Sequence, residues 1–311
     1  MILCCGEALI DMIPAPCAAG QEGFVPHAGG AVFNTAIALG RLGAPSGMLT
    51  GLSRDMFGAQ LDAALGASGV DRGLLIRSDR PTTLAFVTLT QGQARYHFMD
   101  ENSAGRMITA QDLPPLPDHV GALFFGGISL ACEPCAEAYA ALLAREAGRR
   151  AVMIDPNIRS GFIRDETRYR ARLDAMMAQA DIVKLSDEDL EWLIGGDGPL
   201  RDKAAQVLDK GPAVVIITRG GAGASGYMRD IEVSVPAQAA QIVDTVGAGD
   251  TFNAGVLAHL EAQGLLRKEQ IRALPEAALE EALRYGARVA AVVVGRAGAN
   301  PPWASELAAE I

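Results

Sequence analysis

The chain has 311 residues, 50% of them apolar, 21% charged and 5% aromatic, with a net charge of −10. That length is ample for one large domain with a deep core. The acidic balance argues against a nucleic acid or an anionic membrane as partner, since both select basic faces. A site for an anion must therefore be built locally, from backbone N–H groups and a few Lys or Arg.

The opening MILCCGEALIDMIP is apolar but lacks a basic lead, and Glu7 and Asp11 interrupt it, so it reads poorly as a signal peptide. No uninterrupted apolar run reaches the roughly 20 residues that span a bilayer. A cytoplasmic protein without a membrane partner is expected. The five cysteines, Cys4, Cys5, Cys17, Cys132 and Cys135, form no regular framework and suggest free thiols. Cys132 and Cys135 make a CxxC that could be a redox pair or half a zinc site. A second CxxC is missing, and His27, His97, His119 and His259 show no paired spacing.

In chain order, residues 1–13 read as one buried strand ending on acids. Glycine, proline and polar residues follow to about His27. GGAVFNTAIALGRLG is a glycine turn running into a helix, with Phe33 and Ile37 on its apolar stripe. Residues 48–52 suggest a short strand and residues 58–69 a helix. Residues 82–89 and 94–98 pair as a hairpin turned by Gln91 and Gly92. From residue 122 the pattern becomes regularly α/β. Strands are expected at 122–125, 151–154, 182–185 and 213–218, and helices at 134–147, 169–179, 187–194 and 201–210. A second β ribbon spans 226–237, and a long helix spans 275–294. Apolar strands spaced by helices imply a mostly parallel sheet covered on both faces, with ligands beyond the strands' carboxyl ends.

The sharpest local feature is DTVGAGDTFNAG, residues 244–255. Gly247 and Gly249 permit a tight turn, and the apolar run after Asp250 begins a helix. Free N–H groups of Ala248, Gly249 and Asp250 at that helix start would cradle phosphate oxygens, with the Asp250 carboxylate in the same turn. Phosphoryl transfer to a hydroxyl needs that combination. The alternative is a plain helix start with Asp250 serving the cap.

The twelve-residue string resembles the signature of the ribokinase-like (PfkB) carbohydrate kinase family, and the resemblance covers essentially the whole chain. GGAVFNTAIALGRLG is similar to the family's first signature. Asp11, Gly29, Gly30 and Asn34 match positions that hold sugar hydroxyls there. For Asn34, a helix-internal amide bonding the backbone is the competing reading. DPNIR, residues 155–159, resembles the version in fructokinases and 2-keto-3-deoxygluconate kinases, which implies that Arg159 reaches between sugar and phosphate. An exposed loop Arg is the alternative. KLSDEDL, residues 184–190, is similar to the Asn-x-x-Glu segment of ribokinases. Lys184 then stands for a phosphate contact, and Asp187 and Glu188 for acids holding a magnesium shell through water, unless Ser186 and these acids only cap a helix. TRGGAGA, residues 218–224, implies nucleotide phosphate contacts at Thr218, Gly220 and Gly223, with Gly247 and Gly249 beside them. Ala287 would face the adenine, or simply pack in its helix.

The implied fold is a three-layer α/β/α ribokinase-like domain over residues 1–311, with a mostly parallel central sheet and a small β-sheet lid at about 12–27 and 82–103. The implied activity is ATP-dependent phosphorylation of a sugar's terminal hydroxyl. The closest pattern is that of bacterial fructokinases, giving fructose 6-phosphate from D-fructose. Asp250 would act as an ordinary carboxylate of pKa near 4, with Arg159 and the 247–249 turn stabilising the moving charge. ATP and Mg2+ are the expected cofactors, with K+ a candidate, and homodimers are expected through the lid. A 2-keto-3-deoxygluconate kinase or another sugar kinase is the alternative. The lid acids Asp100 and Glu101 count against a sugar acid, whereas Arg95 and Arg106 lie nearby. A non-catalytic sugar- or nucleotide-binding regulator would not need the intact Asp250 and glycines.

Overall fold

The computed structural model describes residues 1–16, 20–90 and 93–308. Cys17 and the Gln91–Gly92 turn lie outside them, as does the side chain of Arg95. The chain opens with β1 (Ile2–Cys5), β2 (Leu9–Pro16), β3 (Glu22–Gly29) and α1 (Ala31–Arg41). Next come β4 (Ser46–Leu49), β5 (Gly51–Ser53), α2 (Met56–Ala67), β6 (Ile76–Ser78), β7 (Leu84–Thr90) and β8 (Gln93–Met99). The regular α/β part holds β9 (Ala122–Gly126), α3 (Cys135–Glu146), β10 (Ala151–Asp155), α4 (Glu166–Met177), β11 (Ile182–Ser186), α5 (Asp187–Leu193), α6 (Leu200–Leu208) and β12 (Val214–Thr218). The ribbon β13 (Ala224–Met228) and β14 (Ile231–Val235) precedes α7 (Ala248–Ala262), α8 (Lys268–Arg272), α9 (Glu276–Val294) and α10 (Ala304–Ala308).

The main sheet runs β14-β13-β12-β11-β10-β9-β1-β4. Pairing is parallel from β4 to β12 and antiparallel in the terminal ribbon. Alternation along each strand divides the core in two. Ile2, Cys4, Phe124 and Ile216 face α1, α7 and α9 through Phe33, Phe252 and Leu283. Leu3, Cys5, Phe125 and Ile217 face α3, α4 and α6 through Tyr139, Leu173 and Val207. Cys4 and Cys5 thus lie in opposite layers, and three layers result.

A separate sheet, β3-β2-β7-β8, stands over one end of the main sheet. Its presence corrects two expectations. The opening apolar run is two strands, because the chain leaves the main sheet after Cys5 at Gly6. A Cβ there would stand 2.4 Å from Val32 Cγ2, so the backbone passes hard against α1. Local pattern shows only glycine, proline and polar residues up to about His27, whereas that stretch, expected from the resemblance to lie in the lid, contains β3, antiparallel to β2. Likewise the strand expected at 48–52 divides between two sheets at Gly51, where a Cβ would meet Ala104 O at 2.0 Å.

Candidate active site

β1 has β4 on one side and β9 on the other, so the chain reverses its direction of travel across the sheet there. In open parallel sheets the crevice beyond such a switch point is where ligands bind. A cleft of about 1180 Å³ opens there, between the strand ends and the small sheet. Glu7, Asp11, Asn34, Arg106, Arg159 and Asp250 all line it.

The start of α7 forms one end of the cleft. Gly247 is its N-cap in the left-handed region, φ 78°. A Cβ at Gly247 would lie 2.7 Å from Ala299 Cβ. The Asp244 carboxylate braces the turn, accepting from Val246 N at 3.0 Å and Gly298 N at 2.9 Å. Ala248 N–H turns back to Thr245 O at 3.3 Å, and Thr251 N–H to Gly247 O at 2.9 Å. Of the three amides expected to face outward, Gly249 and Asp250 remain open among the described residues. Gly249 is not at positive φ; the strained position is Gly247.

Asp250 is 8% exposed. Its Oδ2 accepts from Asn34 Nδ2 at 2.9 Å, and its carbonyl accepts from Thr35 Oγ1 at 3.2 Å. These bonds join α7 to α1, so Asn34 is engaged with the carboxylate and not with its own helix. Burial pushes the Asp250 pKa up to about 7. The Asn34 hydrogen bond and Lys184 oppose that rise, while the charges of Asp155 and Glu7 add to it. The carboxylate is therefore a stronger base than the ordinary one expected from sequence. Asp11, on β2, is also raised by burial, to about 6. A Cβ on Gly29 would stand 2.2 Å from Asp11 Oδ2, so a glycine there leaves the acid its place. Gly30, at φ 107°, caps α1 and passes over Glu7.

Three residues beneath the site were not read from the sequence. Glu7 is buried, and its carboxylate accepts from Ala31 N at 3.0 Å and Ser129 N at 3.3 Å. Asp155 and Asn253 are buried partners, with Asn253 Nδ2 donating to Asp155 Oδ2 at 2.6 Å. Lys184 donates to the same oxygen at 3.0 Å. A Cβ on Gly249 would lie 3.5 Å from Lys184 Nζ, which places this buried ammonium directly under the open amides. The position of Asn253 three residues after Asp250 on one helix was the available sequence signal.

The remaining expected residues are distributed as follows. Arg159 is exposed at the mouth, its guanidinium donating to Ile158 O at 3.1 Å. Glu188 lines the cleft, whereas Asp187 is exposed outside its lining. Asp189, not singled out before, is 4% exposed and completes a capping box with Ser186 while accepting from Ile158 N at 2.8 Å. Thr218 ends β12, with its hydroxyl 3.5 Å from Leu185 O. Gly220 and Gly223 follow at φ 49° and 90°. At Gly223 a Cβ would meet Val235 O at 2.1 Å. These three positions and Ala287 lie outside the cleft lining. Ala287 packs in the core layer of α7 and α9. Cys132 and Cys135 are free and buried, Cys135 Sγ lies 2.9 Å from Cys132 O, and burial holds both as neutral thiols. Among the described residues no helix is long and apolar enough to cross a membrane.

Residues 1–306 match the pattern of the pfkB family carbohydrate kinases. The chain belongs to that family. It is 54% identical over 279 residues to a fructokinase of Rhizobium leguminosarum bv. trifolii, covering 90% of this chain and 85% of the relative. The fold of this pfkB-family kinase is similar to that of a Xylella fastidiosa fructokinase solved with bound ATP. The TM-score is 0.89 at 28% identity, covering 99% of this chain and 97% of that one. A fructokinase double mutant from Vibrio cholerae O395, solved with fructose, ADP and potassium, has a TM-score of 0.86 at 26% identity, with coverage of 99% and 97%. The α/β family fold read from the sequence, with its mostly parallel central sheet and smaller separate sheet, is borne out, as is a carbohydrate kinase activity.

Proposed function

We propose that this pfkB-family kinase transfers the γ-phosphate of ATP to the C6 hydroxyl of D-fructose. The observation that supports it most is Asp250. A buried carboxylate of raised proton affinity stands in the same helical turn as two open amides, facing a cleft walled by Asp11 and Asn34. The 54% identical fructokinase relative supplies the sugar.

In this reading Asp11 and the Gly29–Gly30 backbone hold the sugar's hydroxyls. Asn34 fixes the Asp250 carboxylate through its amide, so one Asp250 oxygen is left to take the proton of the attacking hydroxyl. The Gly249 and Asp250 amides, backed by Lys184, meet the negative charge of the phosphoryl group in transit. Arg159 at the mouth adds an exposed cation between sugar and phosphates. Thr218, Gly220 and Gly223 carry the nucleotide's other phosphates along the ends of β12 and β13, and Ala287 remains a core residue. Magnesium supplies neutralisation of phosphate charge. Among the described residues no cluster of three acids, histidines or cysteines could hold an ion unaided. Mg2+, which is commonly carried by phosphates and water, would be met in this cleft by Glu188 through its water shell. The lid excludes water, which would otherwise accept the phosphoryl group.

The 2-keto-3-deoxygluconate alternative is tested by the cleft's cations. Arg106 is already paired with Asp100 at 2.9 Å, and Arg164 with Glu101 at 3.2 Å. The two lid acids therefore do not confront the substrate as an unpaired repulsive pair, which corrects the simpler expectation. The discrimination instead arises because these cations are already paired. A sugar carboxylate would be desolvated in a cleft where, among the described residues, Arg159 is the lining arginine whose charge no acid already neutralises. ADP release measured across a sugar panel at saturating ATP and Mg2+ should give kcat/KM for D-fructose at least about 10²-fold above that for 2-keto-3-deoxygluconate. Equal or reversed preference would contradict the fructose assignment.

A homodimer through the lid is part of the same proposal. Ile13, Val25 and Tyr96 are 37%, 44% and 47% exposed. Strand register puts all three on one face of the small sheet, the face that carries Asp11. Sedimentation should show a dimer that Val25→Asp converts to monomer. A wild-type monomer at all micromolar concentrations would remove the dimer from the account.

A further inference from the structure

We infer that Arg106 is a specificity-determining residue that contacts the sugar, and that Asp100 is the positioning residue that holds it. The inference rests on the sugar-kinase reading above and deepens it. Asp100 follows β8 directly and is 5% exposed. It accepts from Thr83 Oγ1 at 3.1 Å, Ser103 Oγ at 3.2 Å and Arg106 Nη1 at 2.9 Å. Thr83 directly precedes β7, so one buried carboxylate ties together both roots of the lid hairpin and the guanidinium.

Arg106 is fixed from the other side as well. Its Nε donates to Glu133 O at 3.1 Å, and its own carbonyl accepts from Cys135 N at 3.1 Å. The side chain is 13% exposed, and it lines the cleft. A guanidinium carries five N–H donors in a rigid fork. Among the described residues, Nη2 has no protein acceptor. Nη2 is not sealed from solvent and opens on the cleft, where a ligand acceptor can reach it.

The chemistry of the surroundings says which ligand. Asp11 offers acceptors to the cleft, and Asp250 at its end does so too. A hydroxyl group must both donate and accept. The carboxylates accept a hydrogen bond from its O–H, and the Arg106 fork donates one to its oxygen. Because Asp100 cancels the charge of Arg106, the pair offers direction without net charge, which suits a neutral polyol over a sugar acid. A lysine could keep the ion pair with Asp100 but not the planar fork.

The test uses Arg106→Lys and a set of D-fructose analogues, each lacking one hydroxyl. With D-fructose, kcat/KM should fall about 10²-fold, the size expected for a lost hydrogen bond to a charged group, mostly through the sugar KM. The KM for ATP should stay within about twofold. For the one analogue that lacks the hydroxyl Arg106 meets, the loss should shrink to less than about threefold, whereas a merely structural defect would lower every analogue alike. Asp100→Asn should raise the sugar KM in the same selective pattern. If Arg106→Lys fails to fold, the double variant Asp100→Asn/Arg106→Gln leaves no unpaired buried charge and should reproduce the pattern. A uniform loss across analogues, or no loss, overturns the inference while leaving wild-type fructose phosphorylation standing. A wild type inactive on every ketose overturns the proposed function and this inference with it.

Discussion

Asp250→Asn should lower kcat for fructose phosphorylation by at least about 10²-fold while leaving the fold and ATP binding intact. The asparagine side chain keeps an acceptor for Asn34 Nδ2 but cannot take the hydroxyl proton. The same substitution has a second signature. Burial raises the folded-state pKa of Asp250 to about 7, above the ordinary 3.8. Folding therefore favours the protonated form, and keeping the group ionised costs stability. That cost is absent below about pH 4, grows as pH rises, and is fully present above about pH 7. The variant is free of it, so its Tm at pH 8 should equal or exceed that of the wild type. Wild-type kcat/KM should fall as pH drops through about 7, and the variant's residual rate should not show that limb. A variant keeping more than about a tenth of wild-type turnover would remove Asp250 as the base.

Gly247→Val should be nearly as damaging, by a different route. A valine at φ 78° is strained whatever the space, and here its Cβ would also meet Ala299 Cβ at 2.7 Å. The turn must shift, and the two open amides shift with it. Turnover should fall by about 10² to 10³, the range seen when a charge-stabilising donor is lost. Tm should fall as well, while sugar binding is retained. Gly249→Ala separates strain from occupancy. Gly249 is not at positive φ, and a Cβ there makes only ordinary contact, 3.5 Å from Lys184 Nζ. Its Tm should stay near wild type while turnover drops, because the methyl group stands where the phosphoryl oxygens must come. Unchanged kinetics in both variants would remove the phosphate cradle from the account.

The parts of this site legible in sequence are those whose chemistry is local. The glycine-flanked Asp250 and the Gly30–Asn34 helix start each carry turn, helix and functional group within a few residues. The parallel sheet was legible because most of its strands are short apolar runs spaced by helices. What stayed hidden depends on distant pairing. Glu7 reads as an interruption of an apolar run, yet its carboxylate is spent on Ser129, 122 positions away. Asp155 and Asn253 meet across 98 positions. Lys184 reads as a phosphate contact, and nothing near it in sequence shows that its strand buries it against Asp155. The choice between Asp187 and Glu188 turned on helix phase, which a one-residue change in the start of α5 reverses. The break at Gly6–Glu7 is only two residues long and apolar residues resume at once, so the passage from main sheet to lid reads as one strand.

The central claim is phosphoryl transfer from ATP to the sugar's terminal hydroxyl, directed by Asp250. Uniformly 13C-labelled fructose, incubated with the wild-type enzyme, ATP and Mg2+ and followed by 13C NMR, reads the position of transfer directly. The account predicts a phosphorus splitting at the C6 resonance, and its absence when Asp250→Asn replaces the wild type on the same timescale. Splitting at C1, or ATP consumption without any phosphosugar, would contradict it.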